Sequence, residues 1–373
     1  MKKNLVIVVS AMNLGGAQRV ASILCDHWSQ NGYVVTLIST YTGEKGEKKD
    51  HYQVSKDVAL KYLSKSPFFP KNKTWNLFWK LIHLRKIIKS QNPDAVISFL
   101  TRVNIASTVA TIGIKSSLIL CERTWTPFRR LNQKYFWMYR ILFKGVDRII
   151  VQTDKSKTWL NQNFPDSNVK VIPNPVTYPL PLHKERSIHP NSVILQNKKV
   201  ILASGRMHDD KGFDILLRAF SQINERYPDW DLIILGEGEE RDGLNRMLFD
   251  LEISDRAYLP GSVGNIAEWY ERADLFVLSS KVEGFPNVLL EAMVYGLPCI
   301  SFDCDTGPRD IIQDGVNGIL IDPKEKELGL INALDKMISD EKLRSNIANN
   351  SILLRDKYSV SNIMQKWDKA LDL

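Results

Sequence analysis

Residues 200–225 read Val-Ile-Leu-Ala-Ser-Gly-Arg-Met-His-Asp-Asp-Lys-Gly-Phe-Asp-Ile-Leu-Leu-Arg-Ala-Phe-Ser-Gln-Ile-Asn-Glu. Val200–Ser204 is a short apolar run, the pattern of a strand covered on both faces. Gly205-Arg206 follows it directly, and Lys211-Gly212 precedes a helical pattern over Asp214–Glu225. A buried strand, a glycine-bearing loop and a helix form the first part of a crossover unit, and such units build parallel sheets.

The same alternation extends in both directions. Downstream come a strand at Trp230–Leu235 ending in Gly236-Glu237-Gly238, an extended Arg256–Leu259, a helix at Ile266–Glu271, a strand at Leu275–Ser279, a helix at Asn287–Tyr295 and a strand at Cys299–Phe302. Upstream, Leu5–Val9, Tyr33–Ser39, Ala95–Phe99, Ser117–Cys121, Arg148–Gln152 and Val169–Ile172 read as strands, with helices over Gln18–Gln30 and Lys155–Asn161. Four prolines between Pro175 and Asn197 mark a linker. A chain of 373 residues exceeds one ordinary core. The expectation is an α/β protein with two doubly wound, Rossmann-like domains, 1–175 and 176–355. A last helical segment, 356–373, is expected to cross back to the first domain. Ligands of such sheets bind outside the carboxyl ends of strands, here in a cleft that the two domains face.

Composition excludes several classes. With 44% hydrophobic and 25% charged residues the chain is not disordered. Cys25, Cys121, Cys299 and Cys304 have neither metal-ligand nor disulfide-framework spacing, which suits a reduced compartment. The apolar run Leu5–Val9 is too short for a signal-peptide core or a membrane span. A cytoplasmic location is therefore expected. Of 50 Lys+Arg and 42 Asp+Glu, residues 1–175 hold 27 and 10, a net +17, which leaves the remainder at −9. A basic first half points to an anionic partner.

Two groups carry candidate chemistry. Arg206 and Lys211, with backbone freed by Gly205 and a helix N-terminus nearby, fit a diphosphate clamp. A basic strand-to-helix loop also fits a plain solvated turn. Glu283 precedes Gly284-Phe285-Pro286, and Pro286 suits the first turn of a helix that carries Glu291. Two carboxylates there fit hydroxyl recognition on sugar and ribose. They fit a helix-dipole glutamate and an exposed one equally well.

Together these pieces resemble glycosyltransferase family 4, retaining enzymes of the GT-B architecture. The matching segments are Gly15-Gly16-Ala17-Gln18-Arg19, Ile172-Pro173-Asn174-Pro175, Gly205-Arg206 to Lys211-Gly212, Leu235-Gly236-Glu237-Gly238, Leu259-Pro260-Gly261 and Glu283 through Glu291. Asp303-Cys304-Asp305-Thr306-Gly307-Pro308-Arg309-Asp310 resembles a sub-group that builds bacterial surface and lipid-linked glycans and includes α-N-acetylgalactosaminyltransferases. The resemblance implies that Arg206 and Lys211 hold the donor diphosphate, Glu291 the ribose and Glu283 the transferred sugar. It assigns backbone near Leu259 and Gly261 to the base, and Gly15 and Gly16 to a first-domain loop facing the donor. Gly284, Phe285 and Asn287 complete the donor set. Arg123 stands where many relatives carry a histidine; it fits a phosphate contact, or an ion pair with Glu122 or Asp147. The resemblance implies no cofactor and no metal, because protein cations would stabilise the departing diphosphate.

Trp75 to Lys89 is aromatic and basic. Helical spacing puts Trp75, Phe78, Leu81 and Ile82 toward one side, and Lys80, Arg85, Lys86 and Lys89 largely elsewhere. Lys61, Lys65, Lys71 and Lys73 with Phe68-Phe69 lie upstream, and Arg129-Arg130 and Lys134 with Tyr135-Phe136-Trp137 form a second patch. Such mixtures suit a membrane interface or a lipid phosphate, and also an ordinary core helix with snorkelling lysines. Arg19, Arg102, Arg129, Arg130, Trp75 and Lys80 are the acceptor or membrane candidates. No nucleic-acid-binding module is present. The expected enzyme moves a hexose or N-acetylhexosamine from a UDP-sugar to a polyprenyl-diphosphate-linked glycan at the inner membrane face. The alternatives are a non-catalytic GT-B partner subunit that binds nucleotide-sugar, and a GT-B enzyme with a soluble acceptor.

Overall fold

The computed structural model describes residues 3–12, 15–40, 52, 54–63, 73–123, 139–182 and 186–372. Two compact units emerge. Unit 1 comprises Met1–Asn174 with Ile363–Leu373, and unit 2 comprises Pro175–Asn362.

Unit 1 runs β1 (Asn4–Val9), α1 (Gly16–Gln30), β2 (Val34–Ser39), β3 (Ala59–Tyr62), α2 (Lys73–Ser90), β4 (Ala95–Phe99), α3 (Thr101–Thr111), β5 (Ser117–Cys121), β6 (Arg148–Val151), α4 (Asp154–Asn163) and β7 (Val169–Val171). The seven strands form a parallel sheet ordered β3-β2-β1-β4-β5-β6-β7. Every residue of β4 is buried, as a central parallel strand requires. β3 is half-exposed at the sheet edge, and its Ala-Leu-Lys-Tyr lacks the apolar run that reveals the others.

Unit 2 runs β8 (Lys199–Ser204), α5 (Phe213–Ser221), β9 (Trp230–Leu235), α6 (Arg241–Asp250), β10 (Ala257–Gly261), α7 (Ile266–Arg272), β11 (Leu275–Leu278), α8 (Asn287–Val294), β12 (Cys299–Phe302), α9 (Pro308–Ile311), β13 (Ile319–Ile321), α10 (Lys326–Ser339), α11 (Glu341–Ser351) and α12 (Leu354–Lys357). Its six parallel strands are ordered β10-β9-β8-β11-β12-β13. One face of this sheet packs α5 and α10 through Leu216, Leu217, Phe220, Leu330, Leu334 and Met337.

Helix α13 (Val360–Leu371) begins in unit 2 and ends in unit 1. In unit 1, Trp367 is fully buried. Its ring lies edge-on to Trp28 at 6.2 Å and beside Phe99 at 6.4 Å. The Trp28 indole donates to Asp368 Oδ1 at 2.9 Å. Among the described residues, no helix is long and apolar enough to cross a membrane.

Candidate active site

In each sheet the strand order reverses once, between β1 and β4 in unit 1 and between β8 and β11 in unit 2. At such a point the two flanking loops diverge and leave a crevice at the carboxyl ends of the strands. In unit 2 those loops carry the predicted residues. Arg206 follows β8, and Glu283 lies in the loop after β11.

The β8 loop is shaped by contacts that tolerate only glycine. Gly212 has φ 60 and caps α5, and a Cβ there would lie 2.2 Å from the Ser279 carbonyl oxygen. Gly236, after β9, has φ 142, and its Cβ would lie 1.8 Å from the Gly205 carbonyl oxygen. The side chain of His208 accepts from Asp210 N–H and so caps the short 3-10 turn Asp209–Lys211. The two loops are then laced together. Ser279 donates to the Lys211 carbonyl at 2.9 Å, and Lys281 N–H donates to the Asp210 carbonyl at 2.8 Å.

This lacing brings Lys211 to Glu283, with Nζ donating to Oε1 at 2.5 Å. Both are largely shielded, with side chains 24% and 11% exposed, so the pair is stronger than a surface ion pair. Arg206 is exposed at the end of β8 and makes no side-chain hydrogen bond or ion pair among the described residues. One cation of the predicted clamp is thus pre-paired and the other faces water.

Glu291 is buried in α8 and accepts from the Tyr270 hydroxyl at 3.2 Å. Neither glutamate is an exposed surface group: Glu291 is buried, and Glu283 is partly buried in its ion pair with Lys211. Pro286 caps α8 rather than entering its first turn, and Asn287 is the first helical residue. The Phe285 side chain is buried against Tyr358 at 5.9 Å, so a ligand contact from this residue has to come from its backbone. Gly284 lies under Gly307, where φ is 98 and a Cβ would meet the Gly284 carbonyl oxygen at 3.0 Å and Pro286 Cδ at 2.6 Å. Thr306 donates to the Glu283 carbonyl at 2.6 Å. The 303–310 segment therefore braces the Glu283 loop. Asp303 is held by both Arg309 Nε and Nη2, at 2.7 and 2.6 Å.

At β10, the Leu259 carbonyl accepts from Arg241 at 2.7 Å, and the Gly261 carbonyl accepts from Gly236 N–H at 2.9 Å. Gly261 has φ 102. Arg241, not singled out from sequence, organises this edge and also pairs with Glu237 at 2.8 Å.

In unit 1, Gly15 and Gly16 follow β1 and start α1, and Arg102 lies exposed in the first turn of α3 after β4. Both loops flank the reversal of that sheet. Arg19 sits one turn into α1 and is partly buried. Arg123 lies two residues after β5 and is buried. The pairing with Glu122 or Asp147 gives way to another arrangement. Arg123 Nη1 donates to Asn174 Oδ1 at 2.9 Å, and its guanidinium lies 5.1 Å from the Phe99 ring and 5.5 Å from the Trp367 ring. Glu122 instead accepts from Asn104 at 2.8 Å, Thr101 at 3.1 Å and Tyr139 at 3.2 Å. Asp147 accepts from Leu118 N–H at 2.7 Å. Burial pushes the Arg123 pKa down, and its Nε and Nη2 are buried without a hydrogen bond.

Helix α2 packs through Leu84 and Ile88, while Trp75, Phe78 and Ile82 are exposed together with Leu77 and Trp79. Trp75 stacks edge-on with Phe78, and Phe78 with Trp79. At 100° per residue, exposed Lys86 and Lys89 continue the same outer face, so cations and aromatics share it rather than separating. Lys80 is partly buried. Arg85 is not an anion ligand: it caps α3 by donating to the carbonyls of Ala110 and Ile112 at 2.9 and 2.5 Å. Arg129, Arg130, Lys134 and residues 135–137 lie outside the described residues, as do Lys65, Lys71 and Phe68-Phe69.

Tyr270, like Arg241, is not singled out by the sequence. A tyrosine on a short helix reads as core, and only the fold brings it to Glu291.

Comparison with known proteins bears on the family and the fold. Residues 14–178 match the family model "Glycosyltransferase Family 4", and residues 184–353 match "Glycosyl transferases group 1". The chain is 30% identical over 378 residues to the amylovoran biosynthesis glycosyltransferase AmsD of Erwinia amylovora, covering 100% of both chains. It is 26% identical, over 98% of its own length and 97% of the relative's, to a Campylobacter jejuni protein named GalNAc-alpha-(1->4)-GalNAc-alpha-(1->3)-diNAcBac-PP-undecaprenol alpha-1,4-N-acetyl-D-galactosaminyltransferase. Among solved structures, HepE of Anabaena in complex with UDP superposes with a TM-score of 0.81 at 18% identity, over 100% of each chain. Two parallel-sheet Rossmann-like units, their loop chemistry and a full-length relative lead to one family: the chain belongs to glycosyltransferase family 4 and has the GT-B fold.

Proposed function

We propose that this enzyme is a retaining glycosyltransferase that moves a hexose or N-acetylhexosamine from a UDP-sugar to a polyprenyl-diphosphate-linked oligosaccharide during bacterial surface-glycan synthesis. The observation that carries the donor half is the strand-order reversal of unit 2, flanked by Arg206 and Lys211 on one loop and Glu283 on the other. Breaking a sugar–phosphate bond puts negative charge on the departing diphosphate. Arg206 and Lys211 meet it with preset cations beside the N-terminus of α5, without a metal. Glu291 takes the ribose and Glu283 the sugar. The pre-existing Lys211–Glu283 pair gives the donor a place to insert its phosphate-linked sugar between opposite charges. Backbone at Leu259 and Gly261 borders the base.

The acceptor half rests on three supports. The Campylobacter relative is named for an undecaprenyl-diphosphate glycan. Residues 1–175 carry a net +17. The outer face of α2 displays Trp75, Phe78, Trp79 and Ile82 with Lys86 and Lys89. Aromatic and cationic side chains on one face suit the headgroup layer of an anionic membrane. The protein then works peripherally, on the cytoplasmic leaflet.

The test is a panel of nucleotide-sugars offered with and without an undecaprenyl-diphosphate-linked glycan, with products read by mass spectrometry and the anomeric configuration by NMR. An α-linked sugar added to the lipid-linked glycan from an α-configured donor, undiminished by EDTA, is expected. Transfer only to soluble sugars would overturn the acceptor half, and an inverted product would overturn retention. Flotation on phosphatidylglycerol vesicles should fall when Trp75 and Phe78 are replaced by Ser.

A further inference from the structure

The buried face of α8 carries an arrangement with a role beyond packing. Tyr270, on α7, is 1% exposed, and its hydroxyl lies 3.2 Å from Glu291 Oε2 and 3.3 Å from the Val288 carbonyl oxygen. Both acceptors belong to α8. A phenol has one proton, so the hydroxyl shares it between a helix carbonyl and a carboxylate one turn further on. A carboxylate this buried needs donors to offset the water it has lost.

The ring cannot swing away. It lies against Phe276 at 6.0 Å and Tyr295 at 5.5 Å. Tyr295 is fixed in turn: its hydroxyl accepts from Leu180 N–H at 2.8 Å, and its ring meets Tyr178 edge-on at 5.0 Å. Arg355 closes the row, with its guanidinium 3.7 Å from the Tyr178 ring and Nε donating to the Val294 carbonyl at 2.6 Å. The stack therefore starts at the carboxylate of α8 and is clamped again at its last turn.

We propose that Tyr270 is a positioning residue for the nucleotide ribose: its hydroxyl holds the Glu291 carboxylate in the one orientation that accepts hydrogen bonds from ribose hydroxyls. Tyr270 touches Glu291, not the nucleotide. The proposal rests on the ribose role given to Glu291 above. Because the ribose is bound alike before and during transfer, losing the hydroxyl weakens donor binding without slowing the saturated reaction.

The test uses the full chain, isothermal titration calorimetry, and two probes, UDP and 2′,3′-dideoxyuridine diphosphate. Tyr270→Phe keeps the ring and removes one oxygen. It should weaken UDP about tenfold, the scale of a hydrogen bond to a charged group. It should leave the dideoxy compound within twofold, and raise the donor KM with kcat nearly unchanged. In a Glu291→Ala background the same change should add nothing. Equal losses for both probes, or a fall in kcat with unchanged KM, would overturn the proposal and leave Tyr270 a packing residue. Glu291→Ala weakening UDP while Tyr270→Phe does not would also overturn it, with the ribose role of Glu291 intact. Native UDP affinity in Glu291→Ala would instead sink that role, and this proposal with it.

Discussion

Lys211 Nζ and Glu283 Oε1 stand 2.5 Å apart although they lie on different loops of the same sheet. The contact exists because Ser279 and Lys281 bind the backbone beside Lys211, which sets both loops to one spacing. Opposite charges held together before a ligand arrives make a site in which either partner, once removed, leaves the other shielded and uncompensated.

Lys211→Ala should therefore cut transfer severely, with kcat/KM down about 10²- to 10³-fold as for loss of one donor to a developing anion. Glu283→Gln should hurt less in UDP affinity than in turnover. Steady-state kinetics alongside circular dichroism separate the two effects. Native rates in Lys211→Ala would remove it from the site.

Gly236→Ala places a methyl 1.8 Å from the Gly205 carbonyl oxygen, at a φ of 142 that an L side chain resists. The β8 loop has to move away, and Arg206 with it. The expected result is loss of UDP binding together with a stability cost of about 2 kcal/mol or more. Calorimetry of UDP binding and a urea titration read both.

Arg123 is legible in sequence as a candidate active-site cation, yet it is clamped by Asn174 and two aromatic rings. Arg123→Ala should lower the melting temperature by several degrees, since a buried planar side chain and its hydrogen bond disappear together. Arg123→Lys should not restore it, because an ammonium cannot stack and bond in one plane. Scanning calorimetry checks this. A melting temperature unchanged in both variants would show that Arg123 holds nothing in unit 1.

All four cysteines are buried, and burial raises every thiol pKa, to about 12 at Cys121 and Cys304. A raised pKa removes thiolate at neutral and mildly alkaline pH, and thiolate is the reactive form. Iodoacetamide at pH 8 should label none of them in the native protein and all four in guanidinium, by intact-mass measurement. Rapid labelling of Cys304 alone would mean that the 303–310 segment opens.

Much of the fold is legible in the sequence. Val200–Ser204, Leu275–Leu278 and Cys299–Phe302 are apolar because both sheet faces are covered, so period and length alone revealed them. Gly212 and Gly236 stand out in sequence as loop glycines, and the structure supplies the reason: backbone occupies the space a side chain would need. The rest depends on what no local pattern encodes. Trp75 and Phe78 share a helical stripe, but which stripe meets the core is decided by Leu84 and Ile88 against the sheet. Arg85 looks like one more basic residue until α3 ends beside it. Tyr270 and Glu291 are twenty-one positions apart and adjacent only once α7 and α8 pack.

Ile363–Leu373 completes unit 1, whose other residues are the first 174. Trp367, which packs on Trp28 and Phe99, is made only after all of unit 2. A ribosome that has finished unit 1's strands must therefore translate all of Pro175–Asn362 before that half can close. The second unit, contiguous in sequence, can fold while the first waits. Helix α13 thus ties the closing of the half made first to the translation of the half made second: a nascent chain broken off before Trp367 lacks the ring that packs on Trp28 and Phe99.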